Sequence, residues 1–276
     1  MKTIEVSKHL YSDTPPTIAR NREEVFRTAK DIPFWMWFAS FVFKRMVANR
    51  FYSLMYKGLE NVENRDKRFA TIYYTNHNNW WDGIIGYNVI RRLFHGRMRL
   101  MIEDMNRFPL FQYIGCFPIN KKTPQDAIKS LKYAATTLNA PDIHFWLFPQ
   151  GIVRPPHYRP EVFQSGIAYL IEKGVEKYGG VNICPVSTIY TFLRQDKPEI
   201  IMEFGKVTTF TEFKQNRKQF CHDLAHDFEI FCDNHRLQVA SGKFDGYKYL
   251  YRDKLSWWRD IERHLRNVGM KDDNKL

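Results

Sequence analysis

Residues 72–83 read Ile-Tyr-Tyr-Thr-Asn-His-Asn-Asn-Trp-Trp-Asp-Gly, and the fold turns on how this stretch is arranged. A β-rich apolar run from Phe69 to Tyr74 ends in Thr75-Asn76-His77, and Asp82 follows His77 by five residues. Beyond Asp82 the spacing becomes helical, with Ile85, Val89 and Leu93 on one side. The order is strand, turn, histidine, turn, aspartate, helix. In a continuous helix residues five apart lie about 140° apart around the axis, at ~100° per residue. The chain must therefore bend for His77 and Asp82 to meet. Once they meet, the carboxylate holds one imidazole nitrogen and leaves the other basic, which makes a general base for a hydroxyl. A histidine and an aspartate at this spacing are common, and a lone histidine is more often structural, so the rest of the chain must decide.

Working outward, residues 142–148 (Asp-Ile-His-Phe-Trp-Leu-Phe) form an almost wholly apolar run, the signature of a strand buried on both faces of a parallel sheet. It leads directly into Pro149-Gln150-Gly151-Ile152-Val153-Arg154. Loops leaving the carboxyl ends of parallel strands carry the ligands of such folds. Gly151 lets backbone approach a substrate, and Arg154 can fork onto a phosphate or carboxylate. Further strands are expected at residues 97–102, 115–121, 181–191 and 199–204, the last two joined by the turn signal Asp196-Lys197-Pro198. Helices are expected at 123–138, opened by Thr123 as cap and Pro124 in the first turn, at 161–177, and at 210–237 with Thr211 as cap. Residues 105–112 read as a short helix or loop. Lys121 and Lys122 precede the helix at Thr123; they read either as a phosphate site at its N-terminus or as solvated loop lysines. The fold class is α/β, with a largely parallel buried sheet flanked by helices and an N-terminal membrane-interfacial helical region.

Three segments divide the chain: 1–57 as a polar arm and interfacial helical region, 58–240 as the main domain, and 241–276 as a basic aromatic extension. The arm is expected to carry a charged helix over 20–30. Residues 33–56 hold Trp35, Trp37, Phe38, Phe41 and Phe43 beside Lys44, Arg45 and Arg50. Their uncharged run is too short for the ~20 residues needed to span a bilayer. They suit a helix lying in the membrane interface or an aromatic helix packed on the domain. The extension, with a helix expected over 253–267, reads as an accessory membrane contact or a packed cap.

The 276 residues carry 42 basic and 30 acidic side chains, a formal net charge of +12, and 44% are hydrophobic. That excess points to anionic partners. The charge is dispersed and no nucleic-acid module is present, which excludes nucleic acid as the partner. Cys116, Cys184, Cys221 and Cys232 are far apart in a long chain and read as reduced, buried thiols. The polar N-terminus has no signal-peptide core. Cys221 and Cys232 share the apolar face of their helix while His222 and His226 project elsewhere, so no metal site is expected. No Gly-x-Ser-x-Gly elbow supports a hydrolase.

Four islands stand in order: Asn76-His77-Asn78-Asn79-Trp80-Trp81-Asp82, Gly115-Cys116-Phe117-Pro118-Ile119-Asn120-Lys121, Phe148-Pro149-Gln150-Gly151-Ile152-Val153-Arg154, and Ile183-Cys184-Pro185-Val186-Ser187. Together they resemble the glycerophospholipid acyltransferase family, typified by 1-acyl-glycerol-3-phosphate acyltransferase, over roughly residues 55–210. The resemblance implies His77 as catalytic base and Asp82 as its partner. It implies substrate-binding roles for Lys121, Gln150, Gly151 and Arg154. The family's second island has phenylalanine where Pro118 stands and arginine where Lys121 stands. Its third island has glutamate where Gln150 stands, and one residue fewer before the arginine. The implied reaction moves a fatty acyl group from acyl-coenzyme A or acyl carrier protein, as co-substrate, to the hydroxyl of a lysophospholipid, with no cofactor and no metal. The departures leave open another acceptor, such as a glycolipid, or a non-catalytic lipid-binding protein. Trp80 and Trp81 read as acyl-groove lining or as core. Membrane lipids are the implied partner and the cytoplasmic face of a membrane the implied site, with peripheral or monotopic attachment. Oligomeric state is not legible.

Overall fold

Strands β2 (Thr71–Thr75) and β5 (Ile143–Leu147) are buried at every position, as their mainly apolar text leads one to expect. They lie side by side and parallel, Thr71 opposite His144 and Tyr74 opposite Leu147. The structure, a computed structural model, describes residues 26–253 except 104, 122, 194 and 195. Its remaining strands are β1 (Ser53–Lys57), β3 (Arg97–Ile102), β4 (Cys116–Pro118), β6 (Val181–Thr191), β7 (Glu199–Phe204), β8 (Thr208–Phe210) and β9 (Lys248–Arg252). The sheet order is β4-β3-β5-β2-β6-β7-β1-β9, with β8 paired to the start of β6. From β4 through β6 all neighbours run parallel; β6 and β7 form the expected antiparallel pair, and β9 runs antiparallel to β1.

Alternation along β5 splits the core in two. Ile143, Phe145 and Leu147 pack with α4 (Pro124–Thr136), α5 (Gly166–Tyr178) and α6 (Arg217–Ala240). Trp146, on the opposite face, packs with Tyr73, α1 (Pro33–Arg50) and α3 (Trp81–Val89). A short α2 (Leu59–Glu63) links β1 to β2. Gly86 of α3 lies directly over the Trp146 indole. A Cβ there would sit 2.7 Å from the ring, so only glycine lets the helix come this close. Helix α3 runs on as a π turn through Ile90–Phe94.

Several boundaries differ from the sequence reading. The helix expected through residue 56 ends at Arg50. Ser53–Lys57 is instead a strand inside the sheet, between β7 and β9, so the boundary at 57 cuts the main domain. The extension from 241 likewise gives a strand to that sheet. Residues 26–30 are not helical: the Lys30 amide donates to the Gln112 carbonyl at 2.7 Å and Asp31 bridges to Ile114. Residues 20–25 and the helix expected beyond 253 lie outside the described residues.

Helix α5 starts at Gly166, not 161, because the Glu161 amide is bound by the Glu229 carboxylate and the Gln164 amide by the Pro149 carbonyl. Helix α6 starts at Arg217. Thr208–Phe210 is spent on β8, and Asn216 caps in place of Thr211, accepting from the Lys218 and Gln219 amides. Residues 105–107 and 109–113 form two 3₁₀ turns. Among the described residues, no helix is long and apolar enough to cross a membrane.

Candidate active site

The strand β2 ends at Thr75, and the next seven residues fold back so that Asp82, in the first turn of α3, meets His77. His77 Nδ1 lies 2.9 Å from Asp82 Oδ2. That oxygen also accepts the amides of Asn78 at 2.7 Å and Asn79 at 2.9 Å, and the Tyr190 hydroxyl donates to Oδ1. Four donors therefore converge on a carboxylate that is 3% exposed, which offsets the large cost of burying its charge. Because the carboxylate only accepts, Nδ1 carries the proton and Nε2 keeps its lone pair. Burial, then the Asp82 charge, push the Tyr190 hydroxyl well above the ordinary tyrosine range, so it stays a donor. The Phe148 ring stacks on the imidazole, centroids 4.0 Å apart at 14°, and holds its plane.

Gln150 secures the loop from behind. It is 3% exposed; its Oε1 accepts the His77 amide at 2.7 Å and its Nε2 donates to Glu161 Oε2 at 2.6 Å. Burial raises the Glu161 carboxyl above its usual range, against the lowering pull of the Gln150 hydrogen bond. The Arg154 amide donates to the His77 carbonyl at 2.8 Å, so the third island brackets the histidine on both sides of its peptide.

His77 lines a cavity of about 640 Å³ at the carboxyl ends of β3, β4 and β5. Leu100, Ile102, Phe108, Ile119 and Phe148 give it apolar walls, and Glu103, Arg107 and Lys121 supply charge. A narrower apolar space of about 200 Å³ shares His77 and Trp80 and reaches Phe43 of α1 and Tyr87 of α3.

The structure brings His77, Asp82, Lys121, Gln150 and Gly151 to one place. Lys121 Nζ donates to Glu103 Oε2 at 2.8 Å and to the Gly151 carbonyl. Gly151 adopts φ +75°, a conformation glycine takes without strain, and this turns its carbonyl to that lysine. Gln150 faces the His77 backbone beneath the cavity floor. The Arg154 guanidinium stacks over Tyr158, 4.2 Å from the ring centroid, and is absent from the cavity wall. Trp80, 57% exposed, lines the cavity, whereas Trp81 packs edge-on against Phe51 in the core. Sequence reading missed Tyr190, Glu161 and Glu103. Tyr190 lies 108 residues from Asp82, and no local pattern marks it. Glu103 carried a usable signal: it directly follows a strand predicted to end at the ligand-bearing rim.

Among the described residues, no cluster of histidine, cysteine and carboxylate groups could hold a metal. His222 and His226 are exposed while Cys221 and Cys232 are buried.

The family model described as Acyltransferase matches residues 54–189, from within β1 to within β6. This is an acyltransferase domain. The match encloses His77, Asp82, Lys121, Gln150, Gly151 and Arg154, and the protein is accordingly an acyltransferase. Among solved structures, the chain is similar to the 1-acyl-sn-glycerophosphate (LPA) acyltransferase PlsC from Thermotoga maritima. The two share 14% identity, with 74% of this chain and 79% of that chain covered at a TM-score of 0.49. No curated protein matches the acyltransferase.

Proposed function

We propose that this acyltransferase moves a fatty acyl group from a thioester, on coenzyme A or acyl carrier protein, to the hydroxyl of a lysophospholipid, the class to which 1-acyl-glycerol-3-phosphate belongs. The observation that carries the reading is the His77–Asp82 pair in the wall of an apolar cavity. His77 Nε2 takes the proton of the acceptor hydroxyl as its oxygen attacks the thioester carbonyl. Asp82 holds the imidazolium, and collapse of the tetrahedral intermediate breaks the carbon–sulfur bond and releases the thiol. No acyl-enzyme is needed. General-base assistance of this kind is worth ~10²–10⁴-fold. The narrow space reaching Phe43 and Tyr87 suits an acyl chain, and Lys121 suits an acceptor phosphate.

The same reading places the enzyme on a membrane surface, at the cytoplasmic face, attached without spanning. Phe34, Trp37, Phe38 and Phe41 of α1 are 62, 64, 43 and 56% exposed on one face, while Met36, Ala39, Phe43 and Val47 pack inward on the other. An exposed aromatic face of this kind fits the interfacial layer of a bilayer.

The test is acyl transfer by purified protein in vesicles, with both thioester donors against a panel of lysolipids and glycolipids. A new ester, reduced at least 10²-fold in His77→Ala, is expected. Saturable lysolipid binding with no ester formed would assign a lipid-binding protein instead.

A further inference from the structure

We infer that the acceptor is a zwitterionic lysophospholipid, whose phosphate is followed by an ammonium, and that Glu103 is the residue that selects it. This narrows the acyl-transfer reading above and rests on it. Glu103 follows the last residue of β3, and Lys121 lies just past the end of the neighbouring parallel strand β4, so both project from the same rim. Their charges meet at 2.8 Å in the wall of the cavity that His77 lines. Both remain reachable, with 42% of the Glu103 and 34% of the Lys121 side chain exposed. Lys121 is further committed to the Gly151 carbonyl. Arg107, the other cation among the described residues of this wall, is itself engaged in an interaction.

A phosphomonoester is nearly dianionic and needs undivided positive charge. Here it would approach Lys121 past a carboxylate that already compensates that lysine, and the like charges repel. A zwitterionic head group meets no such obstacle. Laid antiparallel to the pair, its phosphate faces Lys121 while its ammonium faces Glu103, and each charge gains an opposite neighbour without leaving one bare. Lysine, a compact point charge, can turn from Glu103 to a phosphate oxygen without breaking a planar fork as arginine would. The arginine-to-lysine departure at this position and the glutamate beside it thus serve one purpose.

The test measures kcat/KM of the purified full chain and of Glu103→Gln for three lysolipids with matched acyl chains: lysophosphatidate, lysophosphatidylglycerol and lysophosphatidylethanolamine. Lysophosphatidylethanolamine should be preferred over lysophosphatidate by about tenfold in the parent enzyme, and Glu103→Gln should erase that ratio by favouring lysophosphatidate. Lysophosphatidylglycerol, a diester with no ammonium, should fall between them and respond little. A parent enzyme that prefers lysophosphatidate, or a ratio unchanged in Glu103→Gln, overturns the inference. Calorimetric binding of the same lipids to His77→Ala separates the two levels. Failure of all transfer sinks the catalytic reading, while the binding order still decides the head group. Circular dichroism checks that the substituted chains fold.

Discussion

The two flanks of the His77 loop are built from opposite chemistry. Toward β3 and β4 lies the large cavity, whose walls are mainly apolar and whose charges sit at the rim. Toward β6 and α6 lies a pocket of about 270 Å³ walled by Asn76, Asn78, Arg159, Glu161, Thr188 and Arg236. Its charges are spent on one another: Arg159 on Glu161 and Asp233, Arg236 on Asp233 at 3.0 Å. Both asparagine amides donate to the Thr188 carbonyl, at 2.8 and 3.2 Å. One flank is left open for a ligand and the other is closed by internal pairing. On the proposed reaction the difference separates two jobs: the apolar flank receives substrate, and the polar flank fixes where His77 stands. Changes on the first should alter which substrate is used, and changes on the second should alter turnover at constant acceptor affinity.

The sharpest way to break this division is Gln150→Glu, which sets a second carboxylate against Glu161, now 2.6 Å from the Gln150 amide. Repulsion would displace the His77 amide, and kcat should fall about 100-fold with little change in acceptor KM. Because burial already raises Glu161, the doubled carboxylate should hold a proton at low pH, so the variant's activity should recover relative to the parent as pH falls. Adding Glu161→Gln restores one donor between the two and should return activity to within about tenfold of the parent. A fully active single variant, or a double variant no better than the single, would remove the polar flank from the account.

Tyr190→Phe is a milder probe of the same flank. It strips one donor from the buried Asp82 and should lower kcat about tenfold. A rise in acceptor KM with kcat intact would instead put Tyr190 in the substrate's path.

The smallest effect compares the flanks through stability. His144, beneath the α3 side, and His235, on α6 beside Ser187, are each lowered to about 3, chiefly by burial. Both stay neutral in the folded chain, whereas in the unfolded chain each takes a proton near pH 6.5. A depressed folded-state pKa gives stability that is complete above 6.5 and is lost as pH falls toward 3. Well below 6.5 each contributes a slope of about 1.4 kcal/mol per pH unit. Urea titrations between pH 7.5 and 5 should show this loss. His144→Asn and His235→Gln should each flatten it by about half, with activity at pH 7.5 retained. A stability flat with pH would show that neither histidine is held neutral.

The central strands were readable because burial on both faces leaves mainly apolar residues to write them. Residues 142–148 are too short for a buried helix, and residues 181–191 carry β-branched residues and a central Pro185 that disfavour one. His77 and Asp82 were readable because the strand-to-helix change between them forces the bend. What escaped depended on distant partners. The start of α5 is set by Glu229 and Pro149, and Tyr190 acts through an aspartate on another element. Strand β1 was hidden in an aromatic segment, where Phe51 and Tyr52 continue the composition of the helix before them. Strand β9, partly exposed, has too much polar character to announce itself. Gln150 and Arg154 were placed in the right loop, but which way each side chain turns follows from Glu161 and Tyr158, whose positions the loop's own path sets.

The outermost strands of the described sheet are β4 and β9. An open strand edge is a template for association with another chain, and this sheet blunts both of its edges. Strand β4 is three residues long and ends in Pro118, which has no amide hydrogen to offer. Strand β9 begins at Lys248 and ends at Arg252, both exposed, and covers the buried β1. Shortening the chain at residue 240, where composition suggests a tail begins, would strip that guard and leave β1 as the new edge. Such a shortened protein would self-associate while every residue around His77 remained in place. Strand β9 therefore shields the β1 edge, and expression trials that trim it would mistake an aggregation problem for an inactive enzyme.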